Sequence, residues 1–419
     1  MKNLISKENE IGLNNIQQAN AYWVDVKYAH EVFQHMDRYT ILHAGPPIDF
    51  ANMCEPMKGA VIAALIFEGV ATNEEEVRFL TSSHKIKFYP CNDFDAVAPM
   101  AGIISYSMPL YVVEDDIHGN LAYSTINEGQ ENSLAFGFNN DIAINRLNWI
   151  QKVLAPVLKR SILAYGKLSV KSMMAEALNM GDELHMRSNA ASNLFLSKII
   201  GTLIEVVEEK EELKEVIKYI SANTQFFLNL SMAAAKVMIQ CAHNIDKSTI
   251  VTTMSRNGVE VGIKVSGLGN QWFTAPAKKV KGLYLLNYSE EDGNLDIGDS
   301  AILEVIGLGA FAIEASPTTL KFLGTLNYSE AITAIRAMEE ITLDESKSFR
   351  IPNNSLKGSP IAIDMIKVIE TGITPMITTG IVSKERNIGI IGAGISKIPV
   401  EAFEKALLSY AEKYSLLEN

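Results

Sequence analysis

Three cysteines in 419 residues, Cys54, Cys91 and Cys241, form no C-x-x-C pair and no even-numbered set. This argues against both a structural zinc site and a secreted disulfide framework, and leaves each thiol as a small buried hydrophobe. Long apolar runs are missing too. The longest, Gly59 to Ala71, is too short to span a bilayer and carries Glu68. Residues Met1 to Glu10 mix Lys and Glu without the apolar stretch of a signal peptide, so a cytoplasmic protein with no membrane partner is expected. Basic residues are in deficit. Thirty-seven Lys and Arg face 49 Asp and Glu, a formal net charge of −12, which argues against a nucleic-acid partner but leaves room for a small anion in a locally basic pocket. Walker A and G-x-S-x-G strings are absent. Gly389-Ile390-Ile391-Gly392-Ala393-Gly394 has the glycines of a dinucleotide loop but continues into Ile395-Ser396-Lys397-Ile398-Pro399 rather than a helix, so a Rossmann cofactor site is rejected.

What is present is a chain able to bury a large core, with 47% apolar and 21% charged residues. Gln17 to Met36 shows helical spacing. Ile41 to Pro47 reads as a strand ending in a Gly-Pro turn, and a nearly all-round apolar helix from Met57 to Val70 follows, with Pro56 in its first turn. Met108 to Val113 and Asn120 to Ile126 flank the polar turn Glu114 to Gly119 as a hairpin. From Asn140 to about Asn244 the pattern is that of several packed helices, the charged run Glu205 to Lys218 being a solvated face. Strands return at Ile250 to Ser255, Val259 to Ser266, Leu283 to Asn287, Ile373 to Ile381 and Asn387 to Gly394. The expected fold is α/β of the mixed α+β kind: an N-terminal α/β domain over 1–130, a central helical domain over 131–245 and a C-terminal mixed α/β domain over 246–419.

Polar residues concentrate in Gly181-Asp182-Glu183-Leu184-His185-Met186-Arg187-Ser188-Asn189. If Asp182 caps a helix after Gly181, then Asp182, His185 and Asn189 share a face and Glu183 pairs with Arg187 four residues on. Carboxylate, imidazole, amide and guanidinium together would bind an anion and move a proton. A plain helix cap with a salt bridge explains the same string equally well. Lys58, in the first turn of an apolar helix, opposes the helix dipole and is better explained as an anion ligand, with a snorkelling lysine as the alternative. Arg256 would add charge across a hairpin whose glycines, Gly267 and Gly269, allow backbone to approach a ligand; a simple β-turn accounts for them as readily. Asp182 and His185 lack the further ligands of a zinc-like site, so no metal site is assigned.

Several strings, in order, resemble one bacterial family: Ala44 to Ile48, Met53 to Ala60, Asn127-Glu128-Gly129, Met180 to Ala191, Arg256 to Ala277, Asp296 to Ser300, and Gly380 to Gly394. The family is that of the AllG (YlbE) subunit of oxamate carbamoyltransferase, and the resemblance spans nearly the whole chain. It implies a late step of anaerobic allantoin and purine breakdown, in which oxalurate and phosphate give oxamate and carbamoyl phosphate, the latter used by carbamate kinase. It also implies a multi-subunit enzyme with a partner resembling the succinyl-CoA synthetase α-subunit. A homo-oligomer is expected as well. The resemblance carries over no catalytic residue. On the physical reading His185, oriented by Asp182 or Glu183, handles the proton, while Lys58, Arg187, Arg256, Asn189, Gly267 and Gly269 hold the anions and carbonyls. The one cofactor left open is a divalent metal, Mg or Mn. The competing expectations are a non-catalytic scaffold that docks the other subunits and a metal-assisted amidohydrolase acting on a ureido group.

Overall fold

Trp23 has no exposed surface, and its ring meets Tyr111 edge-on at 5.7 Å and Phe195 at 5.4 Å. The computed structural model describes residues 2–129, 131–322 and 328–416 and places Trp23 in a strand, Tyr22–Tyr28, preceded by the helix Lys2–Gln18. The helix expected over Gln17 to Met36 is therefore corrected. Tyr22, Trp23, Val24, Val26 and Tyr28 are aromatic or β-branched and suit a half-buried pleat, and packing against a neighbouring sheet strand overrode the helical spacing. This strand sits in a five-stranded sheet of order Ala96–Val97, Leu121–Thr125, Pro109–Glu114, Tyr22–Tyr28, Leu168–Ser169. The expected hairpin supplies its second and third strands, antiparallel with Leu110 opposite Thr125.

The strand Thr40–His43 and the helix Glu55–Phe67, with Pro56 in its first turn, lie where the sequence places them. Thr40–His43 pairs parallel with Lys87–Pro90; the only other parallel pair among the described strands is Ala96–Val97 with Leu121–Thr125. The sheets are otherwise antiparallel, so the α/β class holds in its mixed form. Helices Asp141–Trp149, Ala155–Tyr165, Val170–Asn179, Asn189–Val206, Lys210–Ala222 and Leu228–Gln240 fill the middle of the chain. The main apolar core takes side chains from Ile16 through Phe195 to Tyr410, drawing on all three expected segments. The boundary placed at 130 falls outside the described residues.

In the C-terminal part, Val251–Asn257 and Glu260–Val265 pair in a four-stranded sheet, and Lys281–Tyr284, Ile390–Lys397 and Met376–Val382 form a three-stranded one. Gly389 to Gly394 thus leads into a strand rather than a strand-to-helix turn. Its spacing has a packing cause: a Cβ on Gly394 would lie 2.2 Å from the Lys281 carbonyl, and one on Gly392 2.4 Å from that of Leu283. The hairpin Leu283–Leu285 and the Ile390–Ala393 strand together form one wall of a deep cleft; the connection 127–138 and the loop around His185 form others. Replacing Trp23 by Ala should cost about 3–5 kcal/mol through the cavity left between Tyr111 and Phe195. A denaturant midpoint unchanged in W23A would show that this strand is not the hub it looks to be.

Candidate functional site

The helix Val170–Asn179 ends at Gly181, whose φ of +95° only glycine adopts freely. The next helix starts at Asn189, not at Asp182. Residues 182–188 form a loop, which corrects the expected helical face of Asp182, His185 and Asn189. Capping survives in altered form: Asp182 Oδ2 accepts the N–H of Ala191 at 2.9 Å from outside the helix. The expected Glu183 to Arg187 ion pair is replaced. Glu183 Oε1 accepts the backbone N–H groups of Met186 (2.5 Å) and Arg187 (2.6 Å), its Oε2 that of His185 (3.3 Å), so the loop is wound around one carboxylate. The Arg187 guanidinium turns to Asp182 instead, with Nε 3.1 Å from Oδ1 at an angle that makes an ion pair but no hydrogen bond. Leu184 takes φ +72°, a costly conformation for Leu, and its fully buried side chain pins it there.

His185 Nδ1 lies 2.8 and 2.9 Å from the two carboxylate oxygens of Glu304, a fully buried residue of the short helix Ile302–Val305. Glu304 Oε1 also accepts from the N–H groups of Ala310 and Thr378, each at 3.1 Å. A Cβ on Gly309 would sit 2.1 Å from that oxygen, so only glycine fits there. The Thr378 hydroxyl stands 3.1 Å from Glu183 and 3.3 Å from Glu304, joining the two carboxylates. Burial pushes Glu183 up to about 7; the Glu304 charge adds to this, and the His185 ring and the Arg187 N–H oppose it. A carboxylate at Nδ1 favours the tautomer with the proton on that nitrogen, and the imidazole lines the cleft.

The cleft has a volume of 720 Å³. Across from His185 runs a relay of amides: Asn223 donates to Asn127 Oδ1 (2.8 Å), Asn127 to Asn229 Oδ1 (2.8 Å), and Asn229 to the Thr125 carbonyl (2.9 Å). Beside it Glu128 accepts from the Leu134 N–H (2.6 Å) and the Ser133 hydroxyl (3.2 Å), and burial pushes it up to about 7. Among the described lining residues there is no Lys or Arg.

The expected cations lie elsewhere. Lys58 pairs with Glu55 at 3.3 Å, in a network where Arg386 bridges Glu55 and Glu74. Arg256 is fully buried, its Nε 3.1 Å from Asp296, its Nη1 donating to the Gly298 carbonyl at 2.5 Å and its Nη2 facing the Thr379 hydroxyl at 3.4 Å. Gly267 presents its carbonyl to Lys413 and Tyr414 of the C-terminal segment, and Gly269 follows with φ +65°. Asn189 opens its helix, and neither it nor Arg187 lines the cleft. Of the candidates, then, the structure joins Asp182, Glu183, His185 and Arg187 in one loop and keeps Lys58, Arg256, Gly267 and Gly269 apart from it. Sequence reasoning missed Glu304 and the assignment of Glu128, although Glu128 stands in a quoted string and Glu304 lies four residues past the end of another, Asp296 to Ser300. No group of three or more His, Cys, Asp or Glu among the described residues is placed to hold a metal ion. Burial pushes the Cys54 thiol up to about 11, which disfavours its thiolate form.

Two outcomes follow from this geometry. Arg256→Ala should destabilise the fold by about 3–5 kcal/mol, because it strands a buried Asp296 carboxylate; a variant of wild-type stability would return Arg256 to the list of ligand-binding groups. Glu128 titrates higher in the folded chain than its ordinary 4.5, so its contribution to stability is full below that pH and is lost as pH rises to about 7. The urea midpoint should therefore fall less between pH 4.5 and 7 in Glu128→Gln than in the wild type, and parallel curves would contradict the assignment.

Comparison with known proteins gives a consistent picture. A family model described as oxamate carbamoyltransferase subunit AllG matches residues 86–300. The Escherichia coli K12 protein of that same name is 38% identical over 414 residues, covering 98% of this chain and 99% of its own. Escherichia coli YahG, described as uncharacterized, is 41% identical over 98% of this chain and 87% of its own. A crystal structure of a conserved protein of unknown function from Enterococcus faecalis V583 superposes with a TM-score of 0.96 at 40% identity, covering 98% of both chains. On the family match and the near full-length likeness to its E. coli member, this chain belongs to the AllG family of oxamate carbamoyltransferase subunits.

Proposed function

We propose that this chain is a subunit of a carbamoyltransferase and that the cleft at His185 is where a carbamoyl group passes between oxalurate and phosphate. The observation that carries this reading is the His185–Glu304 pair opening onto a 720 Å³ cleft walled by amides. In the proposed step a phosphate oxygen attacks the ureido carbon of oxalurate, and a C–O bond forms. The C–N bond to the oxamate nitrogen then breaks. His185 Nε2 takes the proton from phosphate and returns it to that nitrogen, while Glu304 steadies the ring that carries it in between. Asp182 and Glu183 act as positioning residues, holding the loop that presents His185. Apolar side chains rim the cleft and are unusually open to water: Leu285 is 57% and neighbouring Leu286 88% exposed. This supports burial of the rim against other subunits of the enzyme, among them the succinyl-CoA-synthetase-like one.

A second reading, a scaffold that docks the catalytic subunits, draws support from the missing Lys and Arg in the cleft wall, since two anionic reactants need cations near them. One assay separates the two: carbamoyl phosphate formed from oxalurate and phosphate, coupled to carbamate kinase, with the assembled subunits. His185→Gln should lower kcat by roughly 10²–10⁴-fold with KM nearly unchanged, and Glu304→Gln should follow it in part. Full turnover with His185→Gln would leave the scaffold reading standing.

A further inference from the structure

Behind the Asn127–Glu131 connection lies a second chamber, of 590 Å³, which shares Glu128, Gly129 and Glu131 with the His185 cleft as a common wall. Unlike the cleft it carries cations, Arg146 of the helix Asp141–Trp149 and Lys218 of the helix Lys210–Ala222. In a chain with a formal net charge of −12, the cations first suspected of binding a ligand, Lys58, Arg187 and Arg256, each stand beside an acid. Arg146 and Lys218 form no ion pair among the described residues. Arg146 uses Nη1 to hold the carbonyls of Glu128 (2.9 Å) and Glu131, which leaves Nε and Nη2 without a protein acceptor there. Trp149 and Tyr219 wall the chamber with their ring centroids 4.7 Å apart.

We infer that this chamber is a subsite for one small planar monocarboxylate, gripped by Arg146 and Lys218 against the Trp149 and Tyr219 rings. The guanidinium edge left open by Arg146 matches the fork of a carboxylate, and Lys218 supplies a second, mobile charge. Glu131 and Glu215 also line the chamber, and their charges disfavour a dianion such as phosphate. The subsite also has a physical link to the cleft. Tyr219 donates to the Asn127 carbonyl at 2.9 Å, and Asn223 to the Asn127 side chain. A ligand that moves Tyr219 or Arg146 thus acts on both ends of the Asn127–Glu131 wall that carries Glu128. In the terms of the proposed transfer reaction, on which this identification of the ligand rests, the occupant is free oxamate, held beside the cleft where the transfer takes place.

The test is calorimetric titration of the full chain, alone and assembled with its partner subunits, with oxamate and separately with inorganic phosphate. Oxamate should bind the wild type and His185→Gln alike, and Arg146→Gln should weaken it roughly 10- to 100-fold, as loss of a charge-assisted pair does. Because Arg146 also holds the wall, Lys218→Glu serves as the second variant; the Lys218 ammonium makes no described hydrogen bond, so its loss of binding reports the ligand rather than the fold. Wild-type oxamate affinity in both Arg146→Gln and Lys218→Glu, phosphate in place of oxamate, or no oxamate binding in either preparation would each overturn the assignment. Failure of the transfer reading itself registers separately, as unaltered turnover in His185→Gln, because titration needs no chemistry.

Discussion

Glu183 and Glu304 are two carboxyl groups with no exposed surface, linked by a single threonine hydroxyl and by His185, and with no Lys or Arg side chain among the described residues paired to either. Burying such groups is costly unless every oxygen finds donors. The fold meets that demand with backbone. Three consecutive N–H groups close over Glu183, and two more, from Ala310 and Thr378, close over Glu304. Much of the local shape follows from this: the non-helical loop 182–188, the left-handed Leu184, the glycine at 309 and the strand that brings Thr378 inward. His185 and Met186, both bound to this buried acid pair, line the open cleft.

A second knot serves the rest of the molecule. Asp299 accepts from the N–H groups of Gly45 and Ala98 and from the Ser255 hydroxyl, tying the N-terminal strands to the C-terminal sheet, and burial raises its carboxyl above the usual range. Arg256, next in the chain to the Asn257 that Gly45 packs against at backbone distance, fills the space between Asp296, Gly298 and Thr379. Charge here fixes how the sheets meet, and a guanidinium with no exposed surface lies out of a ligand's reach.

This bears on what sequence could reveal. The hairpin of Pro109–Glu114 and Leu121–Thr125 was legible because its alternation and its polar turn are local properties, and so was the helix opened by Pro56. Tyr22–Tyr28 was not, since its partners Tyr111 and Phe195 lie about 90 and 170 residues away along the chain, and only they decide between spacing and pleat. At the site the same division holds. The string around His185 stood out as polar in an apolar region, yet its acid partner Glu304 comes from 119 residues downstream. Lys58 and Arg256 looked like anion ligands because a sequence shows a charge and hides its counter-ion. Arg146 and Lys218 drew no notice for the converse reason: in a helix rich in Glu, Lys218 reads as part of a solvated face.

The separation of groups that results has a chemical logic. An arginine beside His185 would compete with it for Glu304 and hold the ring away from that carboxylate, whereas a ring paired with Glu304 alone stays oriented by it. Charge recognition is then better placed across a wall than within the proton-handling site. The described residues between the two pockets are held at Asn127 by Tyr219, Asn223 and Asn229 and at Glu128 and Glu131 by Arg146. In the proposed reaction, a carboxylate recognised beside the cleft rather than inside it would leave the His185 ring paired with Glu304 alone.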